Sequence, residues 1–323
     1  MAEPQPILVP FTETAVFLVV SAEPGHEDEV RDVLADASGL RRSVGFRFPE
    51  AELTCVIGIG DAAWDRLFGA PRPAELHPFK ALDGPVHRAP STPGDLLFHV
   101  RSHRQDLCFE LTQRLMERLD GHVRVLDEVY GFRSFDQRDL LGFVDGTENP
   151  EGEEAFGAVV VGEGDAPFAG GAYVIVQKYV HDLKAWDALT IEQQEAAIGR
   201  TKLSDIEFPD EDKAPDSHLA LNVIEGPDGE ELQIVRYNMP FGRAAAGEFG
   251  TYFIGYSRTP AVTEQMLENM FMGTPHDRIL DFSTAITGTL FFAPSAEFLD
   301  DPPAPTAPPP SPDDGSLGIG GLR

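Results

Sequence analysis

Apolar residues recur along this chain with two different periods, and the switch between them lays out the elements. Val30, Val33, Leu34 and Ala37 stand at i, i+3, i+4 and i+7, which predicts a helix over 24–40. Cys108, Leu111, Leu115 and Leu119 form a second stripe and predict a helix over 104–120. Between and around these lie short apolar runs of strand length at 14–20, 53–59, 95–101 and 123–135. A brief helix is expected over 62–68. Pro71, Pro73, Pro78, Pro85, Pro90 and Pro93 then mark an irregular connection, because proline donates no ladder hydrogen bond and breaks helices. Setting the brief helix aside, the first half reads β-α-β-β-α-β, the split βαβ order with an antiparallel sheet.

The second half repeats the plan loosely. Strands are expected over 171–180, 251–257 and 290–292, and helices over 182–198, 262–271 and 277–282. Two further strands, 219–224 and 231–238, are expected to form a hairpin around the turn Gly226-Pro227-Asp228-Gly229. If Glu225 faces Glu230 across that turn, His218 opens the first strand opposite Tyr237, while Arg236 and Asn238 share one face of the second. An imidazole, a guanidinium and an amide would then gather at one end of the hairpin. The expected fold is α+β, with two related halves at 1–150 and 151–298 and a tail at 299–323.

The tail differs in kind. Seven of the eleven residues from Pro302 to Pro312 are proline, a composition that makes an extended, semi-rigid spacer. It leads to Leu317, Ile319 and Leu322 separated by glycines, a pattern suited to a displayed docking peptide.

Charge narrows the partners. The 323 residues carry 25 Lys plus Arg against 54 Asp plus Glu, a formal net charge of −29. Such a surface repels nucleic acid and anionic membranes and favours cationic reductants or metal ions. With 42% hydrophobic residues, the chain still has ample material for a core. No apolar run approaches the ~20 residues of a membrane span. The opening MAEPQPILVPF lacks the basic start and apolar core of a signal peptide, so a cytoplasmic location is expected. Cys55 and Cys108 are read as reduced, buried thiols.

Three segments carry candidate chemistry. Gly142-Phe143-Val144-Asp145-Gly146-Thr147 places a carboxylate between glycines, which lets the backbone approach a ligand closely. His218 stands upstream of Ile234-Val235-Arg236-Tyr237-Asn238-Met239-Pro240-Phe241-Gly242. Asp281-Phe282-Ser283-Thr284-Ala285-Ile286-Thr287-Gly288 follows. In this order and spacing the three segments resemble the dye-decolorising peroxidases of the bacterial B-type, over about residues 10–295.

That resemblance implies two ferredoxin-like domains, haem b held mainly by the C-terminal one, and reduction of hydrogen peroxide coupled to oxidation of a second substrate. It implies His218 as the proximal iron ligand, with Asp281 a candidate acceptor for its other ring nitrogen. It makes Asp145 the distal acid, with Arg236 and Asn238 as further distal polar groups. Arg200 is a candidate partner for a haem propionate. Glu148, Glu207 and Glu231 lie beside the site segments and would suit Mn²⁺, a hard cation that prefers oxygen. Trp186, Tyr130, Tyr173 and Tyr237 are available as electron relays, although an aromatic packed in the core is the commoner case.

The tail resembles the cargo-loading peptide of peroxidases packed in encapsulin nanocompartments, with Leu317, Ile319 and Leu322 docking on the inner shell wall. A homo-oligomer is also implied. The competing reading is a haem storage, sensing or delivery protein on the same fold, which would not need a distal acid and a distal cation together.

Overall fold

The computed structural model describes residues 2–146 and 149–305. The first half runs β1 (Thr14–Ala22), α1 (Glu27–Gly45), β2 (Thr54–Gly60), α2 (Asp61–Leu67), β3 (Leu82–Asp83), β4 (Arg88–Ala89), β5 (Leu96–Ser102), α3 (Gln105–Leu119) and β6 (Val123–Phe132). The second runs α4 (Gly152–Val159), β7 (Ala172–His181), α5 (Leu183–Asp187), α6 (Ile191–Ile198), α7 (His218–Asn222), β8 (Val235–Arg236), β9 (Met239–Arg243), β10 (Glu248–Ser257), α8 (Pro260–Met272), β11 (Ser283–Ala285), β12 (Thr289–Ala293) and α9 (Ala296–Asp300). The apolar stripes of α1 and α3 face inward as their spacing requires, with Val30, Val33, Leu34 and Ala37 buried in one and Cys108, Leu111, Leu115 and Leu119 in the other.

Ten strands form one antiparallel sheet in the order β6-β1-β5-β2-β12-β7-β10-β8, with β9 added to β10 and β11 to β7. Each half keeps the ferredoxin-like order. In the first, the fourth, first, third and second strands lie side by side. In the second, β12, β7, β10 and the β8–β9 pair take those same places. The halves join where Phe291 and Phe292 of β12 pair with Gly60 and Ile59 of β2.

The joined sheet coils until Phe17 of β1 stacks on Tyr252 of β10, with 4.2 Å between ring centroids. Its inner face buries Val19, Val56, Leu97, Val174, Val176, Ile254 and Tyr256. Its outer face packs against α1, α2, α3 and α8 through residues such as Leu34, Trp64, Leu111 and Phe271.

Two departures of the second half from the sequence reading bear on the site. The expected helix over 182–198 is two helices, because Thr190 stops one and N-caps the next in a capping box with Gln193. The expected strand 219–224 is the short helix α7. Ser217, fully buried, caps it by accepting from the Ala220 N–H. Short apolar runs such as Leu219–Leu221 fit either element, and the cap decides between them. Of the hairpin only a bridge between Glu225 and Glu231 remains. His218 therefore does not face Tyr237. Tyr237 is buried on the inner face of the sheet, and its hydroxyl donates to the Val9 carbonyl at 3.0 Å.

Candidate functional site

A cleft of about 1120 Å³, part of it open to solvent, lies between the outer face of the second half-sheet and helices α6, α7 and α8. Leu141, Phe143, Ile198, Ile234, Phe253, Met266, Leu267 and Met270 make most of its wall apolar. Into it project Asp139, Asp145, His181, Arg200, His218, Arg236 and Asn238. The cleft thus brings together all three expected distal residues, the expected iron ligand and the expected propionate partner.

His218 is the first residue of α7, and its ring is fixed by one strong contact. Nδ1 lies 2.7 Å from Oδ2 of Asp277, a carboxylate with no solvent exposure. The other Asp277 oxygen accepts from the Ile279 N–H at 3.0 Å, capping the 3₁₀ helix Arg278–Asp281. With Nδ1 donating to a carboxylate, the Nε2 lone pair is the free one, the arrangement that makes a histidine a good metal ligand.

Asp281 does not serve as the acceptor that the sequence suggested. It sits at the far end of the same 3₁₀ helix, where one of its oxygens accepts from His87 at 2.9 Å and from His276 at 3.0 Å. Three residues per turn place it on another side of the axis from Asp277.

Asp145 is held by the segment that follows β6. Gly142 has φ of +93° and Gly146 has φ of +84°, backbone that side-chain-bearing residues avoid. A Cβ on Gly142 would lie 2.3 Å from Lys202 Cε, and one on Gly146 would lie 2.4 Å from a Phe11 ring carbon. Beneath the segment, Leu141 and Phe143 pack with Trp186 and Phe282, and the Trp186 indole donates to the Leu141 carbonyl at 2.9 Å. Trp186 is therefore a buried support of the site segment.

Arg236 and Asn238 come from the β8–β9 region, and the two-residue spacing does put both in the cleft. Between the two strands the Asn238 side chain stands in for a ladder carbonyl, since its Oδ1 accepts from the Ile254 N–H at 3.1 Å. That fixes the amide so that Nδ2 points to Asp145 Oδ1 at 3.4 Å.

Electrostatics divide the carboxylates. Burial pushes the Asp145 carboxyl above its ordinary range, opposed by Arg236, Arg133 and the Asn238 hydrogen bond. Burial likewise raises Asp139 to about 7, against the hydrogen bond that its Oδ1 accepts from the Phe143 N–H at 2.9 Å. His181 is pushed down to about 4 by burial and lies 2.8 Å from the Ser283 hydroxyl and 2.9 Å from that of Thr251. It is neutral at pH 7.

Arg200 is buried in the cleft wall beside Asp205, at 3.2 Å. Glu207 forms an ion pair with Lys213. Glu231 bridges Glu225 on the surface, and Glu148 lies outside the described residues.

Sequence reasoning missed Asp277, Asp139, Arg133 and Asn149. Asn149 had a signal, because it sits four residues beyond the glycine-flanked aspartate. Asp277 had a weaker one, an acid just before a short apolar helical stretch, the usual place of an N-cap.

Two family models cover nearly the whole chain. The Dyp-type peroxidase N-terminal model matches residues 4–133 and the C-terminal model matches residues 136–298. The dye-decolorizing peroxidase of Rhodococcus erythropolis is 59% identical over all of this chain and 97% of its own length. The cryo-EM structure of the encapsulated DyP-type peroxidase from Mycobacterium smegmatis superposes with a TM-score of 0.92 at 59% identity, over 94% of this chain and 99% of that one. A DypB variant from Rhodococcus jostii, solved in complex with heme, superposes with a TM-score of 0.90 at 51% identity, over 92% and 97%. With both family models matched, relatives this similar over the whole chain, and Asp145, Arg236, Asn238 and a carboxylate-bound His218 lining one cleft, this chain belongs to the Dyp-type peroxidase family and is a dye-decolorising type of peroxidase.

Proposed function

We propose that the cleft holds haem b, that His218 would hold its iron through Nε2, and that Asp145, Arg236 and Asn238 would handle hydrogen peroxide in the same cleft. One observation carries this reading. The His218–Asp277 pair leaves a single imidazole nitrogen available, and that nitrogen belongs to a cleft otherwise lined by apolar side chains. The donor set fits the cofactor: an imidazole whose Nδ1 is hydrogen-bonded to Asp277 for iron, apolar walls for the macrocycle, and the buried Arg200 guanidinium for a propionate.

When bound, haem supplies the iron at which the peroxide O–O bond is reduced and from which a second substrate is oxidised. Asp145 takes the proton from one peroxide oxygen and returns it to the other, a task suited to a carboxyl whose pKa is raised by burial. Arg236 places a fixed positive charge where negative charge develops. Asn238 orients Asp145 through the hydrogen bond from its pinned amide. Neutral His181 adds no competing charge to the wall.

Dyes and phenolics are the proposed reductants. Mn²⁺ is a further one, bound near Glu148, Glu207 and Glu231; a saturable effect of Mn²⁺ on the ferric protein is the check. We also propose that the chain assembles as a homo-oligomer and is packaged in a cytoplasmic encapsulin compartment through Leu317, Ile319 and Leu322, which lie outside the described residues.

The test is spectroscopic. The purified, haem-loaded protein should show a Soret band that shifts on one equivalent of hydrogen peroxide and returns when a reducing dye is added. A band that peroxide leaves unmoved would favour haem storage or delivery instead. Loss of the band in His218→Ala, with the fold intact by circular dichroism, is expected if His218 holds the iron.

A further inference from the structure

Outside the cleft, two histidines and an aspartate from distant parts of the chain converge on one point. The Nε2–H of His87 donates to Asp281 Oδ1 at 2.9 Å, and the Nε2–H of His276 donates to the same oxygen at 3.0 Å. The two rings meet edge to face, 4.8 Å between centroids. One ligand atom from each of the three residues lies within 4.8 Å of the others. The second Asp281 oxygen accepts from Arg278 Nη1 at 2.7 Å, which fixes the carboxylate plane.

The backbone beneath is fixed too. His87 ends the turn between β3 and β4, where the Gly84 N–H donates to the His87 carbonyl at 3.0 Å. A Cβ on Gly84 would lie 2.0 Å from the Phe271 carbonyl oxygen, so that turn is pressed against the end of α8. His276 precedes, and Asp281 ends, the 3₁₀ helix whose cap, Asp277, is the same residue that holds His218.

We propose that His87, His276 and Asp281 form a binding site for a divalent transition metal of the zinc type, separate from the cleft. Tetrahedral metal bonds of about 2.0–2.1 Å place neighbouring ligand atoms roughly 3.3–3.4 Å apart. The two nitrogen–oxygen separations therefore need to open by no more than about half an ångström. Each imidazole moves its proton from Nε2 to Nδ1 and offers Nε2 to the metal, and Asp281 stays ionised beside Arg278. The three side chains are 22%, 26% and 25% exposed, which leaves an entry path and room for a water as fourth ligand. Two imidazoles and one carboxylate select a borderline cation over hard Mn²⁺, Mg²⁺ or Ca²⁺. Binding would tie the β3–β4 turn to the 3₁₀ helix and so stiffen the support of His218. The inference is independent of the Mn²⁺ reading, which rests on other residues.

The experiment is calorimetric titration of ZnCl₂ into the full-length, haem-loaded protein, with Co²⁺ substitution read by its visible ligand-field bands. One equivalent of Zn²⁺ should bind, and equimolar MnCl₂ should not compete. His87→Gln and His276→Gln should each weaken binding by at least the about 10–100-fold that loss of an outer-shell partner costs. His26→Gln, in the second cluster of His26, Glu29 and His122, should leave it unchanged. His87 sits on a surface turn, so its variant stays informative if His276→Gln fails to fold. Absence of saturable Zn²⁺ binding, binding that survives both His87→Gln and His276→Gln, or binding lost only in His26→Gln would each overturn the proposal.

Discussion

Asn149 grips Arg236 by its main chain on both sides. Its Nδ2 donates to the Arg236 carbonyl at 2.7 Å and its Oδ1 accepts from the Arg236 N–H at 3.0 Å. The segment bearing Asp145 and the strand bearing Arg236 are thus bolted together by one amide, which sets the spacing of the proposed proton carrier and charge stabiliser. Asn149→Ala leaves two half-buried peptide groups without that partner, at about 0.5–1.5 kcal/mol each. We expect the peroxide reaction to slow by about tenfold or more while the haem band is retained. Asn149→Asp keeps the acceptor and loses the donor, so its rate should fall between the two. Stopped-flow mixing with peroxide measures this, and an unaltered rate in Asn149→Ala would remove Asn149 from the positioning role.

Asp277→Asn tests the proximal pair. The amide oxygen can still cap the 3₁₀ helix at Ile279, so the local fold should survive. The NH₂ group then faces His218 Nδ1, where it can only donate, which opposes the tautomer that leaves Nε2 free. The imidazole becomes a poorer donor to iron. The ferric–ferrous potential should move to more positive values, and haem affinity or peroxide turnover should fall about 10–100-fold. Spectroelectrochemistry reports the first effect. A potential equal to that of the parent would argue against iron ligation through His218.

How the sequence anticipated these residues follows from locality. The elements of the first half were readable because α1 and α3 bury one clean stripe each and β1, β2 and β5 are continuous apolar runs. The glycine-flanked Asp145 was readable because its backbone demands glycine on both sides. Arg236 and Asn238 could be placed on one face from the two-residue period alone. The partner of His218 was not readable in this way. Asp277 and Asp281 are four residues apart on one 3₁₀ turn, and only the packing of that turn against α7 decides which carboxylate reaches the imidazole. The strand expected at 219–224 failed for a related reason, since the buried Ser217 cap is a tertiary fact.

The pH dependence of the peroxide step should follow Asp145. Burial raises its pKa, and Arg236 is the strongest influence in the other direction. The carboxylate must be ionised to take the first proton, so the rate should fall as pH drops through its pKa. Arg236→Leu removes the opposing positive charge and raises that pKa further. Beyond the lower maximum expected from losing charge stabilisation, the acid limb of the pH–rate profile should therefore move to higher pH. A limb that stays in place or moves lower would show that another group controls it.

Asp139 should make stability itself pH-dependent, with a sign opposite to that of a salt-bridged carboxylate. Its folded pKa of about 7 lies above the ordinary 3.8, so the folded state binds the proton more tightly. The stability this group contributes is complete below about pH 4 and is lost as pH rises towards 7. Asp139→Asn keeps an acceptor for the Phe143 N–H and removes the titration. The variant should match the parent near pH 4 and be more stable near pH 8, by on the order of 1–2 kcal/mol after discounting for the partial exposure of the carboxyl. Thermal melts at both pH values measure the difference, and equal midpoints at pH 8 would contradict the desolvation argument.

On the proposed packaging, docking and chemistry fall to separate segments of the chain. Residues 302–312 can span about 34 Å in a polyproline conformation at ~3.1 Å per residue, enough to hold the folded body clear of a wall. In an extended chain Leu317 and Ile319 point to the same side, and the glycines around them let the backbone lie close to a partner surface. Among the described residues, those lining the cleft run no later than Ser283. Deleting residues 313–323 should bring co-purification with a co-expressed shell protein down to background and leave dye oxidation unchanged within error. Ile319→Asp should approach the same result with one residue altered, because a charge in an apolar pocket loses both the buried area and its own hydration. Equal loading of the truncated and full-length chains would separate this peptide from packaging, whatever the activity does.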